Sequence, residues 1–259
     1  MQFHSESRGS ENWDRSPWNM EARTGDERII PIYRTYANLR MNLLPYIYNE
    51  AVNSAERGEP LMRALMIDFP NDPASFVIDD EYMFGRDLLV APILNEHTRE
   101  RAVHFPPGTW LNLWTLEEIV AGPCTISGYP SDLHTVPVFI RRGAILPINL
   151  GDNMYLGEPT GVRGMGYRNL SFLITGKPTE EWVFADDEGT NITFTPCGDE
   201  LYVKADAVSA IGHVYLLLPV AGRSKQAHGP RTVWATGGRG ADVICFSVED
   251  LMQGIRVPF

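Results

Sequence analysis

Apolar residues recur at near-helical spacing up to Arg57, and from Pro60 the pattern changes to short apolar runs. That single change of period constrains the fold more than any other feature. Ile29, Tyr33, Tyr36, Leu43, Leu44, Ile47, Ala51 and Val52 supply the helical stripe, and Gly58 suits a left-handed stop. The spacing predicts a helix from about Asp26 to Arg57, kinked or interrupted at Pro31 and Pro45. Thr24 and Glu27 fit a capping box at its start, in which hydroxyl and carboxylate satisfy free backbone N–H groups. The preceding residues 5–26 are polar and contain Ser16-Pro17-Trp18, and they read as a long loop with a few anchored aromatics.

Past Pro60 the apolar runs are Leu61 to Phe69, Leu88 to Leu94, Arg101 to Phe105, Thr135 to Ile140 and Ala144 to Ile148. Gly, Pro, Asn and Asp divide them, as in an antiparallel β-sandwich. Pro106-Pro107-Gly108-Thr109-Trp110 reads as a tight turn and Arg141-Arg142-Gly143-Ala144 as a hairpin, so one β-domain can close near Leu150. The glycine-rich stretch from Gly151 to Gly166 is the best linker candidate. A second β-rich unit follows, with strands expected at 170–175, 181–185, 191–195, 201–205, 214–219, 232–235 and 243–248. No fixed-period repeat indicates a solenoid or propeller.

At 259 residues the chain is long enough for about two domains. Hydrophobic residues make up 44% and charged residues 21%, a globular balance, and no apolar run reaches the roughly 18 residues of a membrane span. The net charge of −11 opposes nonspecific phosphate binding, so neither nucleic acid nor a membrane is an expected partner, whereas a neutral sugar is compatible. Cys124, Cys197 and Cys245 lie far apart with no CxxC pair, which favours reduced, structural thiols and no metal site. No basic region followed by an apolar stretch marks a signal peptide. The sequons at Asn169 and Asn191 match a pattern common by chance.

Two acidic groups carry the candidate chemistry. Asp79-Asp80-Glu81 precedes a strand, and Asp186-Asp187-Glu188-Gly189 lies between two strands with hairpin-turn chemistry. A retaining glycosidase needs two carboxyl groups about 5–5.5 Å apart, which adjacency in sequence does not provide. Turn or surface acids are the commoner explanation of both groups, and the EF-hand spacing that would suggest calcium is absent. Trp110, Trp114, Trp182 and Trp234 can offer flat faces to sugar rings, but strand aromatics more often fill a sandwich core. Arg99, Glu100 and Arg101 read as a solvated turn. His4 follows a short apolar start; a lone histidine there is more often a surface or capping residue, although at the end of a barrel strand it can face an active-site mouth.

Arg40-Met41-Asn42-Leu43-Leu44-Pro45-Tyr46-Ile47-Tyr48, Gly58-Glu59-Pro60-Leu61-Met62-Arg63, Met83-Phe84-Gly85-Arg86-Asp87-Leu88-Leu89-Val90-Ala91-Pro92 and Phe105-Pro106-Pro107-Gly108-Thr109-Trp110 occur in an order that resembles the C-terminal portion of glycoside hydrolase family 31. The resemblance covers about residues 1 to 150. Trp182 to Gly189 is similar to a hairpin often found in the distal β-domain of that family. The fold it implies is mainly β: C-terminal β-sandwich domains preceded by the last strand, loop and helix of a (β/α)8 barrel. Residues 1–59 would be the terminal part of that barrel, 60–150 the proximal β-sandwich and 151–259 the distal β-rich domain.

Met1-Gln2-Phe3-His4 with Pro17-Trp18 looks like the family's last barrel strand, which makes His4 a sugar contact in the cleaved subsite, while Gln2 stands where many members have Arg. The family's nucleophilic and acid/base aspartates match nothing in this chain. The resemblance therefore implies part of a retaining α-glycosidase for α-linked glucosides or xylosides, without cofactor, in a bacterial cytoplasm and inactive alone. Its expected partners are an α-glycoside and an N-terminal barrel region, and a helix face left uncovered by that barrel can promote homo-oligomers. The alternatives are a noncatalytic carbohydrate-binding or interaction module and a merely structural fragment.

Overall fold

A computed structural model describes residues 16–132, 134–160, 167, 169–187, 189–208, 213–219, 231–232 and 241–259. The first element among the described residues is helix α1 (Pro17–Thr24), within the stretch where a loop was expected. Ser16 caps it, Pro17 fills its first position, where no N–H is required, and Gly25 ends it at φ 70°. Thr24 starts no capping box: its hydroxyl donates back to the Met20 carbonyl at 2.8 Å and accepts from Asp26 N–H. The next helix begins later and without a side-chain cap, as α2 (Ile29–Asn42). A carboxylate oxygen of Glu21 accepts from Ile30 N–H at 3.2 Å, so α1 satisfies one of the free donors at the start of α2.

The two prolines of the helical stripe act differently. Pro31 lies in the first turn of α2 and disturbs nothing, because those N–H groups have no partner inside the helix. Pro45 ends α2 and sits in the first turn of α3 (Leu44–Arg57), with the break at Leu43. Gly58 closes α3 at φ 70°, as the sequence predicts.

A six-stranded antiparallel sheet follows, in the order β1-β2-β3-β6-β4-β5. Its strands are β1 (Met62–Ala64), β2 (Tyr82–Phe84), β3 (Leu88–Val90), β4 (Glu100–Asn112), β5 (Glu118–Pro130) and β6 (Val138–Arg141). Helix α4 (Leu65–Asp68) replaces the expected strand continuation after β1, and a 3-10 turn (Pro73–Phe76) follows it. Pro106-Pro107-Gly108 is not a tight turn. It lies inside β4, where the register against β5 shifts between Phe105 and Gly108 and the strand continues past the irregularity.

The distal strands form two sheets. β7 (Ile145–Asn149), β8 (Leu170–Ile174), β12 (His213–Pro219), β14 (Ala241–Ser247) and β13 (Arg231–Thr232) form a five-stranded sheet, whose β8–β12 pair is parallel. β9 (Trp182–Ala185), β10 (Asn191–Cys197), β11 (Glu200–Ala207) and β15 (Ile255–Pro258) form a four-stranded antiparallel sheet. Helix α5 (Val248–Gln253), with a Ser247/Asp250 capping box, links β14 to β15. Arg141 to Ala144 is not a hairpin: β6 pairs with β3 and β4, whereas β7 pairs with β8. The sheets therefore divide at that turn, ahead of Leu150.

Strand alternation sorts the apolar residues into three cores. Met83, Leu89, Phe105, Trp110 and Phe139 point with Leu65 and Phe69 into the first. Leu88, Val90, Val138 and Ile140, on the opposite face, meet Leu39, Leu43 and Tyr46 of the helices and Leu146 and Ile148 of β7. Phe172, Phe184, Phe194, Val203 and Leu216 fill the third, between the two distal sheets. A proximal sheet buried on both faces explains the unbroken run Leu88-Leu89-Val90-Ala91. Each large side chain buried there contributes about 1.5–3 kcal/mol.

Candidate functional site

The polar side chains of α2 and α3 form a second stripe, at positions 36, 38, 42, 46, 49 and 50, directed at the β-domains rather than at water. Tyr36 donates to the His134 carbonyl at 3.2 Å and accepts from Val136 N–H at 2.6 Å. Asn38 donates to the Gly157 carbonyl at 3.1 Å. Asn42 is fully buried; its amide donates to the carbonyls of Asn149 at 2.9 Å and Glu158 at 3.3 Å, and its oxygen accepts from Gly157 N–H at 2.8 Å. Residues 151–160, which the sequence marks as linker, thus lie against α2, with Leu150 and Leu156 in the shared core. Asn49 accepts from Ala185 N–H at 3.4 Å and reaches the distal unit.

Tyr46 and Glu50 hold the turn between β2 and β3. The Tyr46 hydroxyl donates to the Phe84 carbonyl at 2.8 Å and accepts from Asp87 N–H at 3.2 Å, and burial drives its pKa well upward. Buried Glu50 accepts from Arg86 N–H at 2.9 Å and from its guanidinium at 3.1 and 3.2 Å. Asp87 lies beside this pair. Desolvation raises its carboxyl to about 6, reinforced by Glu50 and opposed by Arg141, Arg86 and Arg63.

The first acidic group is built into the proximal sheet. Asp80 and Glu81 share Arg101, at 2.8 and 3.0 Å, and Glu81 also accepts from His104 N–H at 2.9 Å. Arg101 is no solvated turn residue: its guanidinium also donates to the carbonyls of Asp80, Pro92 and Ala102 and is largely buried. His104 bridges Asp72 at 2.7 Å and Thr125 at 3.0 Å, with His104 and Asp72 buried. Buried and committed to β4, the Glu81 carboxyl cannot reach an anomeric carbon.

The second acidic group is a hairpin turn between β9 and β10, in which Asp186 accepts from Thr190 N–H at 2.7 Å. Asp187 is exposed, and Glu188 is outside the described residues. Among the described residues, no three of His, Cys, Asp and Glu gather where they could hold a metal ion. Cys124, Cys197 and Cys245 are free thiols; Cys245 is exposed rather than structural and bonds to Tyr215.

His4 and Trp234 lie outside the described residues. Trp18 is exposed on α1. Trp110 and Trp114 are buried, their indole N–H groups donating to Pro106 and Val136 carbonyls, and Trp182 packs against Phe172, Phe184 and Phe194. None of those three forms an exposed platform for a sugar ring.

Sequence reasoning missed Asn42, Glu50, Asp72 and His104. Asn42, between Met41 and Leu43, and His104, between Val103 and Phe105, are polar residues set in apolar runs, and that interruption was the available signal; Asp72 and Glu50 have polar neighbours and gave none.

Residues 58–146 match the model of the glycosyl hydrolase family 31 C-terminal domain. An isomaltosyltransferase of Sporosarcina globispora is 41% identical over 194 residues, 74% of this chain and 18% of that protein. Alpha-glucosidase 2 of Bacillus thermoamyloliquefaciens is 35% identical over 194 residues, 74% of this chain and 23% of its own length. The solved structure of the cycloalternan-forming enzyme from Listeria monocytogenes, in complex with a pentasaccharide substrate, superposes with a TM-score of 0.79 at 32% identity. That match covers 97% of this chain and 26% of that one. The chain thus spans about a quarter or less of the proteins it matches, and it belongs to glycoside hydrolase family 31, corresponding to the C-terminal portion of those enzymes.

Proposed function

We propose that this chain supplies the C-terminal part of a retaining α-glycosidase acting on α-linked glucosides or xylosides, and that the two catalytic carboxyl groups lie outside it. The observation that carries this reading is the placement of the acids. Glu50 is buried in an ion pair with Arg86, Glu81 is buried and accepts from Arg101 and His104 N–H, Asp80 is paired with Arg101, and Asp186 shapes a hairpin. A retaining glycosidase needs two accessible carboxyl groups, one to attack the anomeric carbon and one to protonate the leaving oxygen, and the side chains of Glu50, Glu81, Asp80 and Asp186 are committed to structural partners instead.

In this reading residues 1–59 complete the barrel, and the β-domains buttress it through the polar stripe of α2 and α3. Met41, Leu44 and Val52, which expose apolar surface on these helices, belong to the face the barrel would cover. His4 would donate or accept a hydrogen bond at a sugar hydroxyl of the cleaved subsite. A second reading, transglycosylation, is favoured by the names of two of the similar proteins, an isomaltosyltransferase and a cycloalternan-forming enzyme. It uses the same glycosyl-enzyme, resolved by a sugar hydroxyl instead of water.

The test is a chimera in which this chain replaces the matching C-terminal portion of the Sporosarcina globispora isomaltosyltransferase. Turnover of an α-glucoside by the chimera, with a raised KM when His4 is changed to Ala, supports the reading. A folded chimera without turnover contradicts it, and product analysis separates hydrolysis from transfer.

A further inference from the structure

Between β1 and β2 the chain crosses the outer core of the proximal sheet as a strap. Leu65 and Phe69 are buried in that core, while Met66, Ile67, Phe76 and Val77 face outward. Such a strap has little sheet pairing of its own, so polar side chains must hold it down. Asp68 is tied to Arg63 of β1 and Asp80 to Arg101, and two buried fastenings reach β4: Asp72, through the His104 ring, and Glu81, through His104 N–H and Arg101.

The Glu81 fastening is unbalanced. Its Oε1 accepts both donors, whereas Oε2 is buried with no hydrogen-bond partner. Arg101 has little left to offer, because it also serves three carbonyls and the Asp80 carboxylate. A buried carboxylate with one unmatched oxygen carries its charge at high cost. A proton on Oε2 removes that charge and leaves both Oε1 bonds in place.

We propose that Glu81 is a proton-dependent fastener of this strap: it holds a proton on Oε2 while residues 65–80 are seated, and losing that proton loosens them from the proximal sheet. The charged and titratable groups facing it are Arg101 and His104 from β4, Asp80 from its own segment and Asp72 from the strap. Burial is the largest influence and carries the carboxyl to about 7, with Asp80 adding to the rise and Arg101 and His104 opposing it. The seated state therefore binds a proton that the released state gives up near the ordinary carboxylate value of 4.5. This contribution is full below that value, falls as pH rises and is gone above about 7.

Amide hydrogen exchange of the native chain at pH 5.5 and pH 8, corrected for intrinsic rates, reads the opening of residues 65–80. The expected result is a rise of about tenfold or more in opening, confined to the strap and abolished by Glu81→Gln. An equal rise in Glu81→Gln, no rise in the native chain, or a uniform rise that includes the four-stranded sheet would overturn the proposal. Should Glu81→Gln fail to fold, a carbon-13 titration of the native glutamate carboxyls decides the question. A Glu81 midpoint near neutrality supports the proposal, and one near 4.5 contradicts it.

Discussion

The Tyr46 hydroxyl stands where a side chain at position 85 would have to go. Gly85 adopts φ +64°, and a Cβ there would also lie 2.7 Å from the Tyr46 ring and 2.9 Å from Glu50. The β2–β3 turn is moulded against α3, with glycine supplying both the left-handed conformation and the space.

Gly85→Ala is expected to cost about 2–4 kcal/mol, combining backbone strain with overpacking. Tyr46→Phe removes the bonds to Phe84 and Asp87 and costs about 1–3 kcal/mol. Urea unfolding of the double variant should show less than the sum, because the phenyl ring no longer places an oxygen against the methyl group added at position 85. Strict additivity would contradict the apposition.

Glu50→Ala should destabilise the chain by about 3 kcal/mol, since it leaves the Arg86 guanidinium and N–H without their acceptor in a mostly buried site. The effect should change little in about 1 M salt, because a buried pair is poorly screened. Thermal unfolding at two salt concentrations checks both statements.

Asn42→Ala breaks three hydrogen bonds, two of them buried, and is expected to cost about 3 kcal/mol. Exchange at Gly157 N–H should accelerate most, since Asn42 is its acceptor. An unchanged rate there would mean that apolar packing alone holds residues 151–160.

Much of this architecture is legible in the residues themselves. Gly58 stopping a helix, the β2–β3 pair and most distal strands follow from period and turn chemistry, which are local properties. The β6–β7 turn reads as a hairpin but is none, because pairing partners are set by tertiary packing. The stretch expected as a linker from Gly151 is packed where it is described, to residue 160: Gly157 allows close approach to Thr35 of α2, and residues 161–166 lie outside the described residues. Arg101 reads as a surface cation beside Arg99 and Glu100, and only the fold brings Glu81 and three carbonyls around it.

Asp87 gives stability a pH dependence of definite sign. Its folded-state carboxyl is raised from 3.8 to about 6, so folding binds a proton and stability falls as pH climbs through that interval, then levels off. Asp87→Asn should flatten this slope and be the more stable protein at pH 7.5 by about 2 kcal/mol. Urea midpoints at pH 4.5 and 7.5 give the comparison, and parallel slopes in the two proteins would refute it.

The most direct test of the central claim is hydrolysis of aryl α-glucoside and α-xyloside by the purified 259-residue chain. The account predicts no turnover, because Asp80 is paired with Arg101, Glu81 is buried against β4 and Asp186 shapes a hairpin turn. Turnover that is lost on changing Asp79, Asp80, Asp186 or Asp187 to Asn would place the catalytic carboxylates within this chain and contradict the account.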